Sequence, residues 1–155
     1  MDADTAKAAS TVHASAVLVG ARAVLIRGPA GAGKSRLALA LIQAADSGLL
    51  TFARLVGDDR IELAASHGRL IARPAQALAG LIEVRGLGIR RLDHEPVAVV
   101  GLVVDLGTAE GERLPEAVAH EIEIAGILLP RLPVGPGFDP VPAVLARLLT
   151  LRAEV

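Results

Sequence analysis

The chain has no cysteine, no tryptophan and no tyrosine, and its only aromatic residues are Phe52 and Phe138. Without cysteine, disulfides and thiolate metal centres are excluded. With two aromatics, a stacking platform for single-stranded nucleic acid is not expected. Net charge is -1 with both signs dispersed, so the basic footprint of a nucleic-acid binder is missing as well. No uncharged apolar run reaches the ~18 residues of a membrane span. The N-terminus, Met1-Asp2-Ala3-Asp4, is acidic where an export signal is basic. These absences together lead us to expect a cytoplasmic protein with neither nucleic-acid nor membrane partners.

What is present is apolar. Hydrophobic residues make up 52% of the 155 residues, enough for one sizeable core. Residues 1–10 read as a frayed start. Ala16–Val19 and Ala23–Ile26 read as short strands about a Gly20-Ala21 turn. From Lys34 the period becomes helical, with Leu37, Leu41 and Ala45 on one face and a stop at Gly48. Arg54–Val56 reads as a strand. Arg60–Ala65 and Arg69–Arg73 form a hairpin about Ser66-His67-Gly68. Residues 75–81 are expected to be helical, and Val97–Val104 to be a strand ending at Asp105. Ile122–Leu132 reads as one strand, 133–142 as a proline-rich loop, and Val144–Arg152 as a closing helix. No linker or repeat interrupts the chain. The expectation is a single α/β domain over 1–155, with a central mixed sheet, a helix after the glycine-rich segment and a C-terminal helix.

That glycine-rich segment carries the chemistry. Gly28-Pro29-Ala30-Gly31-Ala32-Gly33-Lys34-Ser35 matches G-x-x-x-x-G-K-[ST] at every fixed position. Glycines let backbone N–H groups converge on phosphate oxygens, and the following helix points its positive end at the same anion. Lys34 is suited to β/γ-phosphates and Ser35 to Mg²⁺. Only Lys7 and Lys34 are lysines, so the chain keeps a compact cation for this position. Binding of a nucleoside triphosphate follows.

Phosphoryl transfer also requires carboxylates. Two strand ends offer them: Asp105, and the pair Asp58-Asp59. Adjacent carboxylates repel, a cost best met when a cation sits nearby, and this favours the pair. Glu83-Val84-Arg85-Gly86-Leu87-Gly88-Ile89 is too short of glycine for a dinucleotide fingerprint and places Glu83 and Arg85 on one strand face. His13 and Arg113 carry no signal of their own.

In order along the chain, His13, Gly28–Ser35, Leu55-Val56-Gly57-Asp58-Asp59 and Leu81–Ile89 resemble HPr kinase/phosphorylase, over roughly residues 12–145. The chain is similar to the short, kinase-domain-only type seen in α-proteobacteria. The resemblance implies a P-loop kinase domain that uses ATP and Mg²⁺ to phosphorylate a serine of HPr or an HPr-like carrier. It implies phosphate binding by Lys34, magnesium ligation by Ser35 and Glu83, a base from Asp58 or Asp59, and catalytic positions at His13 and Arg113. It also implies a hexamer. Where the family carries a basic loop linked to the reverse dephosphorylation, this chain has Pro133-Val134-Gly135-Pro136-Gly137-Phe138-Asp139. Weak or absent phosphorylase activity is therefore expected. The rival readings are a small-molecule kinase with the same loop, which needs an arginine-rich lid not found here, and a non-catalytic ATP sensor, which needs no base.

Overall fold

A computed structural model describes residues 10–111 and 117–150. Eleven strands and two α-helices are found among them. The first half holds β1 (Ser10–Val12), β2 (Ala14–Val19), β3 (Arg22–Arg27), α1 (Lys34–Asp46), β4 (Ala53–Gly57), β5 (Ile61–Ser66) and β6 (Arg69–Pro74). The second holds β7 (Leu81–Val84), β8 (Gly88–Arg91), β9 (Ala98–Leu106), β10 (Glu121–Ile124), β11 (Ile127–Val134) and α2 (Pro140–Leu149). Nine strands join one mixed sheet in the order β1-β5-β6-β9-β3-β2-β4, with β11 also on β9 and β10 on β11; β7 and β8 pair separately. The expected α/β architecture, with its mixed sheet and both helices, is what the chain adopts.

Period-two alternation sorts the apolar residues onto two faces. Val24, Ile26, Leu102 and Val104 face α1 and α2 with Leu37, Leu41 and Val144. Ala23, Leu25, Val100 and Val103 face the other way, with Ile61, Leu63 and Leu70 of the β5–β6 hairpin. Leu37 and Leu41 are wholly buried, and each contributes about 2 kcal/mol by removing its side chain from water. The β5–β6 turn has positive φ at His67 and Gly68, the backbone that matches the strands' right-handed twist.

Direction within the sheet determines where the loops gather. β3 and β9 are parallel, as are β9 and β11, while β2 runs antiparallel to both β3 and β4. The strands β3, β4, β9 and β11 therefore end at one edge. In an open α/β sheet, ligands bind at such an edge.

Four local expectations need correction. Ser10 lies in β1, not in a frayed start; residues 1–9 fall outside the described set. Residues 75–81 hold only a single helical turn, Gln76–Leu78, before Leu81 enters β7. Ile122–Leu132 is two strands, because Ala125 and Gly126 both take positive φ and reverse the chain. The proline-rich segment is shorter as a loop than expected: β11 reaches Val134 and α2 starts at Pro140. There the Asp139 side chain accepts from the Val141 amide at 3.1 Å, capping the helix, and proline is at home in its first turn.

Candidate functional site: a phosphate loop beside a carboxylate pair

The glycine-rich loop leaves β3 at Arg27 and enters α1 at Lys34. Gly33 has φ 100°, a conformation that a side chain would strain. Its carbonyl accepts the Leu37 amide at 2.9 Å, so helical bonding begins at the loop itself. The Lys34 ammonium folds over the loop and donates to the carbonyls of Gly28 at 2.8 Å and Pro29 at 3.1 Å. A cation is thus held above the amides that face an anion at a helix start.

Asp58 follows β4 on one flank of this loop and is buried. The Ser35 hydroxyl lies 2.9 Å from both of its oxygens. The Ser15 hydroxyl, wholly buried in β2, donates to Oδ1 at 2.5 Å. The Glu83 amide donates to Oδ2 over a longer 3.4 Å. Glu83 reaches this point because Ile82 and Val84 pack into the α1 side of the core, while its own side chain stays exposed. Among the described residues, the donors to Asp58 are therefore neutral: two hydroxyls and a backbone amide.

Asp59 points elsewhere. Its φ is 68°, which turns its side chain outward, and its carboxylate lies 4.0 Å from His13 Nδ1 with both side chains about 70% exposed (72% for His13, 70% for Asp59). The chain thus brings His13, Lys34, Ser35, Asp58, Asp59 and Glu83 to one region. Arg113 lies outside the described residues.

Asp105, the other strand-terminal acid, is engaged by arginines. Arg27 grips it through Nε at 2.7 Å and Nη2 at 2.8 Å, and Arg131 Nε donates at 2.6 Å. Arg131 also meets the Glu110 carboxylate at 3.2 Å. Burial would raise the Asp105 pKa, but the hydrogen bonds and charges of Arg27 and Arg131 outweigh it and hold the carboxyl below its ordinary value. For Arg131, burial works to lower the pKa, and Asp105 and Glu110 together raise it.

The neighbourhood is familiar. The model of the HPr serine kinase C-terminal domain matches residues 4–94, more than half of the chain. The chain belongs to the HPr serine kinase family. Curated HPr kinase/phosphorylases are similar to it. One from Streptococcus thermophilus is 30% identical over 94% of this chain and 49% of its own length. One from Clostridium beijerinckii is 38% identical over 56% of this chain and 26% of its own length. The chain thus spans about half the length of the curated HPr kinase/phosphorylase from Streptococcus thermophilus. Among solved structures, the HPr(Ser) kinase/phosphatase from Coxiella burnetii superposes with a TM-score of 0.70 at 27% identity, covering 90% of this chain and 93% of that one.

For a family of kinases, the donor set matters. Among the described residues no group of three or more His, Asp or Glu side chains is gathered to hold a metal alone. Two hard oxygen donors are nonetheless adjacent, the Ser35 hydroxyl and the Asp58 carboxylate, and the Glu83 amide reaches the same carboxylate. Mg²⁺ is commonly held by one or two carboxylates together with substrate phosphates, and this set fits that pattern. Ser15 carries no sequence signal beyond being a lone hydroxyl inside an apolar strand. No helix is long and apolar enough to cross a membrane, among the described residues.

Proposed function

We propose that this protein is an ATP-dependent serine kinase that phosphorylates HPr or an HPr-like carrier with Mg²⁺. The observation that carries the reading is the direct pairing of the phosphate-loop hydroxyl, Ser35, with the Asp58 carboxylate. A triphosphate seated on the loop has its reactive end on the Lys34–Ser35 side, where Asp58 waits. Ser35 and Glu83 would supply oxygen donors for Mg²⁺, which would neutralise charge on the phosphates. Lys34 contributes a second positive charge to the same oxygens.

Asp58 is our choice of proton acceptor for the substrate serine, because it lies at the loop while Asp59 faces outward to His13. A general base must stand within hydrogen-bond reach of the attacking hydroxyl, and the acceptor must approach the γ-phosphate. Asp59 and His13 then flank that approach, and by likeness to the family Arg113 would be the cation that meets developing charge on the phosphoryl group. Assembly as a hexamer is part of the same reading, supported by likeness to the family.

Dephosphorylation is weak or absent in this reading. In place of the basic residues that the family links to dephosphorylation, the loop after β11 carries Gly135 and Phe138.

The test is incubation with ATP, Mg²⁺ and purified HPr, followed by intact mass. One phosphate gained on HPr, lost with Lys34→Ala, supports the kinase. Tight ATP binding with unmodified HPr overturns it in favour of a nucleotide sensor. Rapid loss of phosphate from phospho-HPr on addition of inorganic phosphate overturns the one-way reading.

A further inference from the structure

On the flank of the phosphate loop away from Asp58 lies a cleft of about 410 Å³. Pro29, Ala30 and Ala32 of the loop form one wall, and Leu106, Val134 and Phe138 line it from the ends of β9 and β11. Its other lining residues are glycines and prolines. Among the described residues no polar or charged side chain lines it, although it opens beside a lysine-bearing anion loop. Phe138 is 59% exposed, an aromatic ring left in solvent by a chain that has only two.

The backbone that carries the ring is held in place. The Phe138 amide donates to the Gly135 carbonyl at 3.2 Å, and Gly137 has φ 83°. Pro136 followed by a positive-φ glycine is the pattern of a type II turn. Directly after Phe138, Asp139 caps α2. The ring thus sits between a tight turn and a capped helix. A Cβ at Gly135 would lie 2.5 Å from the Gly111 carbonyl oxygen and 3.0 Å from the ring, so glycine at 135 makes room for this arrangement.

We infer that this cleft takes the purine base of the bound nucleotide, with Phe138 as the stacking face, and that it discriminates poorly between adenine and guanine. The inference rests on the nucleotide reading of the loop given above. The topology supports it: Asp58, after β4, lies on one side of β3, and the ends of β9 and β11 lie on the other. With the γ-phosphate toward Asp58, the base must leave the loop on the opposite flank. Ring systems of either purine stack on an aromatic face, and stacking tolerates any base. Strong rejection of an analogue requires buried polar groups left unpaired by it, and among the described residues the cleft has no polar side chain to be left so.

Calorimetric titration of the full chain with ADP, GDP and pyrophosphate, each with Mg²⁺, tests this without turnover. ADP and GDP are expected to bind within about threefold of one another. Phe138→Ala should weaken both about tenfold, the scale of one lost base–aromatic stack, and leave pyrophosphate unchanged. Phe138→Trp should retain tight ADP binding. Because the chain has no other tryptophan, its fluorescence should be quenched by ADP and not by pyrophosphate. The inference is overturned if Phe138→Ala leaves ADP unaffected, if it weakens pyrophosphate equally, or if ADP is favoured over GDP by more than about tenfold, beyond what a cleft lined by apolar side chains sustains. These outcomes are independent of HPr: a chain that binds ADP through Phe138 but leaves HPr unmodified overturns the kinase reading alone. Binding of neither ADP nor pyrophosphate overturns both.

Discussion

Asp58 and Asp105 sit in equivalent places and live in opposite surroundings. Each comes at the end of a strand on the same edge of the sheet, and each is buried. Asp58 accepts from two serine hydroxyls and a backbone amide. Asp105 accepts from two guanidiniums. Hydroxyls satisfy the lone pairs of a carboxylate and leave its charge unspent. Guanidiniums cancel the charge as well. A strand-terminal aspartate beside a phosphate loop is therefore not defined by position; its partners decide whether it attracts a cation or ties strands together. Arg27 immediately precedes Gly28, so the Asp105 cluster anchors the start of the phosphate loop to β9 and β11.

The contrast can be broken by substitution. The largest effect is expected at Asp58: Asp58→Asn should lower the rate of HPr phosphorylation about 10³-fold, within the range for a general base, with a thermal midpoint close to that of the parent. Next is Asp105→Ala, which leaves Arg27 and Arg131 without their shared partner. Removing one member of a buried ion cluster costs about 3–5 kcal/mol, measurable by urea unfolding. Activity per folded molecule should fall far less than in the Asp58 variant.

The fold class and the loop were readable because each rests on local chemistry: a G-x-x-x-x-G-K-S string, an apolar strand before it and a helical period after it. The β5–β6 hairpin was readable from Ser66-His67-Gly68 for the same reason. The division of labour between the aspartates was not. Arg27 and Arg131 lie 78 and 26 residues from Asp105, and Ser15 lies 43 from Asp58, so only the folded sheet brings them together. Ile122–Leu132 concealed a turn because its Ala125 takes positive φ, which alanine rarely does. At 133–142 the density of proline and glycine masked the Asp139-Pro140 helix start.

A smaller effect concerns acid. The pKa of Asp105 is lowered in the folded chain, so this group stabilises the fold above its unfolded pKa, and the contribution is lost as pH falls through the lower folded value. Unfolding free energy measured from neutral to strongly acid pH should fall along that limb, and Asp105→Asn should flatten it. A parallel curve for the variant would mean that the arginines do not hold this carboxyl. Smallest is Asp59→Asn. Its contact with His13 is exposed and long, so the unfolding midpoint should not move measurably; a clear loss of stability would show that the pair is not the loose surface contact described.

The central claim is that Asp58 serves the phosphate and Asp105 serves the fold. Its most direct test is phosphate gain on HPr by Asp58→Asn and Asp105→Asn in parallel, by intact mass, normalised to the folded fraction. The account predicts near-complete loss in the first and retention within about tenfold in the second, the loss expected of a residue outside the transition state. Loss in Asp105→Asn with its fold intact, while Asp58→Asn still phosphorylates HPr, would contradict it.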